Sequence, residues 1–196
     1  MPDASPRRMS REDRREMLIV AAGRVLGERD KLPLTFEDVA EEAGVSATLP
    51  YKYFASPDEI ASELYDRIVV DVDVRSKVVL DDDVSFDAKV EATFRLWAET
   101  IKREGNLLLA LVDGRSIPAL RHRMDERREA VVQLWADVIV ADFGLDRRTA
   151  LLPAASITAA SSALHVRWLR DRRDLDELVA DVVTMARAQC EALRTG

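Results

Sequence analysis

Apolar side chains return every three or four residues along most of this chain, the spacing that lines one face of an α-helix. Leu18, Ala21, Ala22, Val25 and Leu26 make such a face for a first helix from about Ser10 to Arg29. Phe36, Val39, Ala40 and Ala43 make a shorter one, and Ile60, Leu64 and Ile68 open a long helix that continues towards Leu80. Val69 to Val74 alternates at period two, as a strand would, but no partner strand is visible elsewhere and the stretch is read as helix. Phe86, Val90, Phe94, Trp97 and Ile101 share a face of a helix ending near Gly105. Leu107 to Val112 is apolar nearly all round, as a short buried helix would be. A helix from about Leu120 carries Met124, Val131, Leu134, Trp135 and Val138 inwards and stops at Gly144. Another runs through Pro153 to Leu169, and the last presents Leu175, Leu178, Val182, Ala186 and Leu193. The expected class is all-α.

Polar residues punctuate this pattern where helices start and stop. Thr35 is placed to cap the second helix, with Asp38 as a short capping-box acid. Gly44 follows where the chain must leave that helix in a left-handed conformation. Val45 covers the junction, and Ser46 is placed to cap a further helix to about Tyr53. Ser56-Pro57-Asp58-Glu59 is a strong start signal. Lys31-Leu32-Pro33 reads as a turn, Asp81-Asp82-Asp83 as a solvated one, and Asp113-Gly114 with Pro118 as a break. Asp146 and Asp174, the latter with Glu177, cap the last two helices. Residues 34–53 thus read as helix, turn with glycine, helix, the geometry of a DNA-reading unit. The same spacing also fits two short helices of an ordinary bundle.

The neighbouring residues favour the first reading. Val45-Ser46, the run Tyr51-Lys52-Tyr53-Phe54, and Ser56 ahead of Asp58-Glu59-Ile60 resemble the recognition helix and following linker of the tetracycline-repressor (TetR) family. Arg14 to Leu26 resembles that family's first helix, and Leu34 to Ala40 its second. The resemblance covers roughly residues 8 to 68. It implies a flexible arm at 1–9, a three-helix helix-turn-helix DNA-binding domain at 10–68, and a larger helical bundle at 69–196 for ligand binding and dimerisation. By position in the motif, Ala47, Thr48, Leu49, Lys52 and Tyr53 would meet base edges or nearby backbone. Thr35, Ser46 and Tyr51 would hold phosphates, with Arg7 and Arg8 as arm contacts. Two residues depart from the pattern. Pro50 stands where the family usually has an aliphatic residue, and Pro57 where a lysine is common. In a helix capped at Ser46, Pro50 would lack the first intrahelical amide and crowd the Ser46 carbonyl, at a cost of up to ~3 kcal/mol, so either the first turn opens or the helix begins at Thr48 with Pro50 in its first turn.

Composition narrows the alternatives. The chain has 196 residues and a formal charge of −7. Residues 1–57 hold nine Lys/Arg against ten Asp/Glu, and the remainder twenty against twenty-six. A helix-turn-helix needs only a few placed cations and amides, so an acidic body is compatible with DNA binding. Cys190 is the only cysteine, which excludes an internal disulfide and a cysteine-based zinc site. No apolar run approaches the ~18 residues of a membrane span, and the charged N-terminus is not a secretory signal, so a cytoplasmic protein is expected. No GxSxG, phosphate loop or HExxH is present, and no enzyme, cofactor or metal is expected.

The second domain offers two groups with functional readings. The resemblance would place the helices bearing Phe94, Trp97, Ile101, Leu108, Trp135 and His165 around an inducer cavity, with Arg115 at its mouth. The competing readings are plain core for the aromatics, a hydrogen-bonded interior histidine for His165, and a surface arginine for Arg115. Ala154 to Ala163 is small-sided apart from Ile157. Next to the final amphipathic helix it suits a symmetric four-helix interface between two subunits. The expected protein is a homodimeric regulator, a repressor released from a near-palindromic double-stranded DNA operator by a small, mostly hydrophobic inducer. The alternative is an all-helical binding or scaffold protein whose helix-turn-helix has lost DNA affinity.

Overall fold

The structure, a computed structural model, describes residues 9–29, 33–112, 118–171 and 173–194. Among the described residues every regular element is helical. The helices are α1 (Arg11–Arg29), α2 (Phe36–Ala43), α3 (Pro57–Asp81), α4 (Phe86–Glu104), α5 (Asn106–Val112), α6 (Pro118–Phe143), α7 (Arg147–Asp171) and α8 (Leu175–Arg194). A 3-10 turn, Pro50–Lys52, lies between α2 and α3. The expected arm, the turn at Lys31-Leu32 and the break at Asp113-Gly114 lie outside the described residues.

Several helix starts follow from side chains that satisfy orphan amides. Thr35 Oγ1 accepts from the Asp38 amide at 3.1 Å and donates to the Asp38 carboxylate at 2.6 Å. Ser56 Oγ accepts from the Glu59 amide, while Glu59 reaches back to the amide of Ala55 at 2.7 Å. Asp146 accepts from the amides of Arg148 and Thr149, and Asp174 from those of Asp176 and Glu177. The alternating stretch Val69–Val74 is helical, inside α3.

The chain forms two compact units, residues 1–67 with 105–121 and residues 68–104 with 122–196. The sequence places everything beyond residue 68 in the second domain; in the structure α5 packs with the first unit, against α1. Glycines on α1 leave room for it: a Cβ at Gly27 would meet Leu107 Cβ at 3.6 Å. Leu18, Leu26, Val39, Ile60 and Leu111 are fully buried in this unit. An ion-pair net lies on its surface, with Arg15 on Glu63 and Arg67 shared between Glu16 and Glu63.

In the second unit α4 packs on α7 and α8, and α7 on α8. Its core holds Phe86, Phe94, Trp135, Ile139 and Val182. On α6, Trp135 and Val138 are buried as expected, together with Val132, Ala136 and Ile139, whereas Met124, Val131 and Leu134 are half-buried. Two ion pairs clamp α4 to α8, Arg187–Asp87 and Arg95–Asp176. His165 of α7 stacks on Phe94 with ring centroids 3.9 Å apart, and its Nε2 lies 2.9 Å from the Phe94 carbonyl oxygen. Burial pushes the imidazole below its ordinary value of 6.5, and hydrogen bonds to the Phe94 and Ser161 carbonyls only partly offset this.

The unfolded chain therefore takes up a proton at His165 more readily than the folded one. Stability falls as the pH drops through 6.5 towards the lower folded value. Urea midpoints at about pH 7.5 and about pH 5.5 should differ less in His165→Gln than in the wild type. An equal acid loss in both proteins would place the pH sensitivity elsewhere.

Candidate nucleic-acid interface

The turn after α2 decides which way the next seven residues face. Gly44 has φ 66° and ψ 35°, the left-handed conformation that suits glycine. Its amide reaches the Glu41 carbonyl, and the Val45 amide reaches the Ala40 carbonyl at 3.0 Å. This pair of bonds is a Schellman motif, which ends the helix with its carbonyls satisfied. Phe36, Val39 and Ala40 are buried on the inner face of α2, and Ala43 is half-buried.

The segment after Ser46 differs from the helix expected there. The Leu49 amide bonds the Ser46 carbonyl at 2.9 Å, the Lys52 amide that of Leu49 at 3.0 Å, and the Tyr53 amide that of Pro50 at 2.9 Å. These three are i to i−3 bonds, and the Phe54 amide adds one i to i−4 bond to the Pro50 carbonyl at 3.1 Å, so the segment forms 3-10-type turns closed by a single α-type bond in place of the continuous helix expected from Ser46 to Tyr53. The cause is Pro50. Without an amide hydrogen it cannot bond Ser46 in the α pattern, and it sits instead at the first position of the Pro50–Lys52 turn, where no amide is needed. The expected strain is therefore avoided. Ser46 does not cap this turn with its side chain, since its Oγ lies 3.3 Å from Thr48 Oγ1.

Ser46, Ala47, Thr48, Tyr51 and Lys52 are exposed, while Leu49 and Tyr53 are half-buried. Lys52 makes no ion pair among the described residues, so its charge remains available to a phosphate. Thr35, half-buried, commits its hydroxyl to the α2 cap. Tyr51 packs edge-on against Phe36 at 4.5 Å and donates its hydroxyl to Glu37 at 3.3 Å. Phe54 is buried beneath the Arg15 guanidinium, which anchors the far end of the segment to α1. Arg7 and Arg8 lie outside the described residues. Glu37 is a participant that sequence reading missed, and its place in the first turn of α2 was the only available signal.

The residues expected around an inducer divide differently. Phe94 and His165 stand together, buried and stacked. Trp135 is buried edge-on to Phe86, and Ile101 is buried on α4. Trp97 is half-buried under the Arg127 guanidinium at 4.6 Å, and Arg127 binds both carboxylate oxygens of Asp73. This link joins α3, α4 and α6 through residues 54 apart in sequence, a separation that leaves no local signal. Leu108 belongs to the first unit, and Arg115 lies outside the described residues. In the second unit, Ser76 Oγ is buried with no hydrogen-bond partner among the described residues. No group of three or more His, Cys, Asp or Glu side chains among the described residues is arranged to hold a metal ion.

Residues 18–64 match the model of the family described as bacterial regulatory proteins, tetR family. That span runs from within α1 into α3 and includes the whole 34–53 motif. The HTH-type transcriptional activator FasR of Mycolicibacterium smegmatis is 26% identical over 174 residues, which cover 87% of this chain and 78% of FasR. The HTH-type transcriptional regulator BetI of Agrobacterium fabrum is 39% identical over 59 residues, 30% of this chain and 29% of BetI. The crystal structure of a putative transcriptional regulator from Pseudomonas aeruginosa PAO1 has the same fold, with a TM-score of 0.75 at 21% identity over 96% of this chain and 94% of that one.

Replacing Pro50 by Leu restores an amide and allows residues 47–53 to wind as an α-helix. Because Pro50 occupies a position compatible with proline, stability should change by no more than about 1 kcal/mol, while the preferred DNA sequence changes. An unaltered sequence preference would show that Pro50 does not shape the reading surface. Lys52→Ala should weaken binding to all duplexes alike and reduce the salt slope by about one for each bound chain. Lost discrimination at an unchanged slope would instead mean that Lys52 reads bases.

Proposed function

We propose that this chain, a DNA-binding transcriptional regulator whose residues 18–64 match the tetR family of bacterial regulatory proteins, acts as a homodimer whose hold on DNA is set by a small, mostly hydrophobic molecule. The observation that carries the reading is the Schellman turn at Gly44, which delivers Ser46, Ala47, Thr48, Tyr51 and Lys52 together to the surface. Two such surfaces, one from each subunit, would enter successive major grooves of a near-palindromic operator. Residues 10–68 supply the DNA contacts, and the helices beyond 68 supply dimerisation and the ligand site.

The dimer reading rests on α7 and α8. Sequence reading found no apolar run long enough for a membrane, yet Arg147–Trp168 of α7 is long and apolar enough by length and composition to cross one. Only 28% of its most apolar stretch is buried in the monomer. Leu152 and Met185 are exposed, and Ile157, Ala160, Ser161, Leu164, Val182 and Met185 line a shallow groove between α7 and α8. An apolar face of this kind calls for a partner. In a regulator that pairs two DNA-reading surfaces, a second copy of the same face supplies it through a symmetric contact.

The ligand reading rests on the second unit's apolar interior and its orphan hydroxyl. A helical-bundle site is mostly apolar with a few polar groups that orient the ligand. Ser76 and the Trp97–Arg127–Asp73 group are candidates for that role beside Phe94 and His165. The ligand's effect on DNA cannot exceed its differential affinity for the two states of the dimer. We favour a repressor released by its ligand. FasR, similar over most of its length, is named an activator, which supports the second reading of an activator built on the same site. The third reading, a binding protein without DNA affinity, draws on the missing recognition helix.

Selection of duplexes from a randomised pool by the full chain, at stated salt, tests the first reading against the third. Enrichment of paired half-sites about 10 bp apart supports a dimeric DNA reader, and no enrichment sinks it. Met185→Glu should place two uncompensated carboxylates in the dimer contact and weaken association by roughly 3 kcal/mol or more, read by sedimentation. A variant that remains dimeric at wild-type concentrations would move the interface elsewhere.

A further inference from the structure

The DNA-facing surface of the first unit contains a carboxylate that opposes DNA on charge alone. Glu37 is exposed, in the first turn of α2, and a negative charge so placed is repelled by phosphate. It is not idle, because it accepts the hydroxyl of Tyr51 at 3.3 Å. Tyr51 is 60% exposed and belongs to a 3-10 turn of three residues, a single turn that cannot orient a large outward side chain by itself. Two groups from α2 touch it, the edge of Phe36 beneath the ring and Glu37 at the hydroxyl.

We propose that Glu37 is a positioning residue for DNA binding: it holds the Tyr51 hydroxyl so that the ring stands in the one direction in which it meets the duplex. A phenol has one hydrogen to donate, and here Glu37 takes it. Tyr51 therefore meets DNA through its ring, against deoxyribose or a thymine methyl, rather than as a phosphate donor. On this proposal Tyr51 would not take the phosphate role that its place in the motif suggested. The loss of the recognition helix at Pro50 makes the clamp necessary. An α-helical turn would orient Tyr51 through its own backbone, whereas the shorter turn relies on α2. The inference rests on the reading of Tyr51 as a DNA contact.

The test uses the full chain and a duplex enriched by the wild-type protein, with a scrambled duplex of equal length as control. Glu37→Gln keeps an acceptor oxygen and removes the charge, so it should bind as tightly as wild type or more tightly. Glu37→Ala removes both charge and clamp, and should bind about three- to tenfold more weakly than Glu37→Gln, the worth of one hydrogen bond. In a Tyr51→Phe background that difference should vanish. Equal binding by the two Glu37 variants, or tighter binding by Glu37→Ala, overturns the proposal, because the freed hydroxyl would then be serving phosphate. Tyr51→Ala separates the two ideas. If it binds like wild type, Tyr51 is no DNA contact and the reading beneath the proposal fails. If it binds weakly while the Glu37 variants match, the reading stands and the clamp does not. A measurement without DNA guards against misfolding. The charge of Glu37 raises the Tyr51 hydroxyl above its ordinary value, so phenolate absorbance in Glu37→Gln should show one of the three tyrosines ionising at lower pH. No movement would overturn the contact itself.

Discussion

A proline has no amide hydrogen, and at position 50 that single absence governs the segment that joins α2 to α3. The carbonyl of Ser46 cannot receive residue 50, so it receives Leu49, and the chain tightens into 3-10 turns from its first step. Fewer residues are wound per turn, and the segment reaches Phe54 with only Pro50–Lys52 in regular structure. Both ends are then held from outside. Gly44 fixes the entry through the Schellman bonds, and Phe54, buried under Arg15, fixes the exit. Between them the exposed side chains depend on α2 for direction, which is why Phe36 and Glu37 both touch Tyr51.

Most caps and faces were legible in the sequence because they are local, with Ser46 and part of α6 as the exceptions. Thr35, Gly44, Ser56, Asp146 and Asp174 act within four residues of themselves, and each occupies the role its type implies. The period-two stretch Val69–Val74 was settled by the lack of a partner strand, and the structure agrees. Pro50 was recognised as an anomaly, but its consequence was harder to see. Whether a helix accommodates a proline by opening, shifting or shortening depends on what its neighbours can hold in place. Glu37 shows the same limit, since nothing in its helical position marks it as a partner fourteen residues away.

The second unit was less legible, and for a physical reason. Aromatic residues at helical spacing lie inside by hydrophobicity alone, whatever they touch. Phe94, Trp97 and Trp135 share that pattern but meet three different environments: an imidazole, a guanidinium and another aromatic ring. Those partners come from helices tens of residues distant. The guanidinium over Trp97 is fixed by two bonds to Asp73, so the aromatic face is covered by a group whose charge is itself neutralised. A ligand reaching Trp97 from that side must displace Arg127 or bind around it. Polar chemistry at this edge of the bundle would then enter the energetics of the proposed ligand, even a mostly apolar one.

Helix α7 shows how far composition can mislead without burial. Its small and apolar residues satisfy the length and composition of a membrane span, yet the helix begins with Arg147-Arg148, capped by Asp146, and carries His165 locked onto Phe94. Here α4 covers one side, and the uncovered side is the groove shared with α8. Small residues along that side give up area per residue but let a second backbone come close, where many weak dispersion contacts add up. Pairing with a second copy about a two-fold axis, as proposed, would cover such a face. On that proposal, the apolar exposure of α7 would supply the second copy that lets a short reading surface at Pro50 act twice on one duplex.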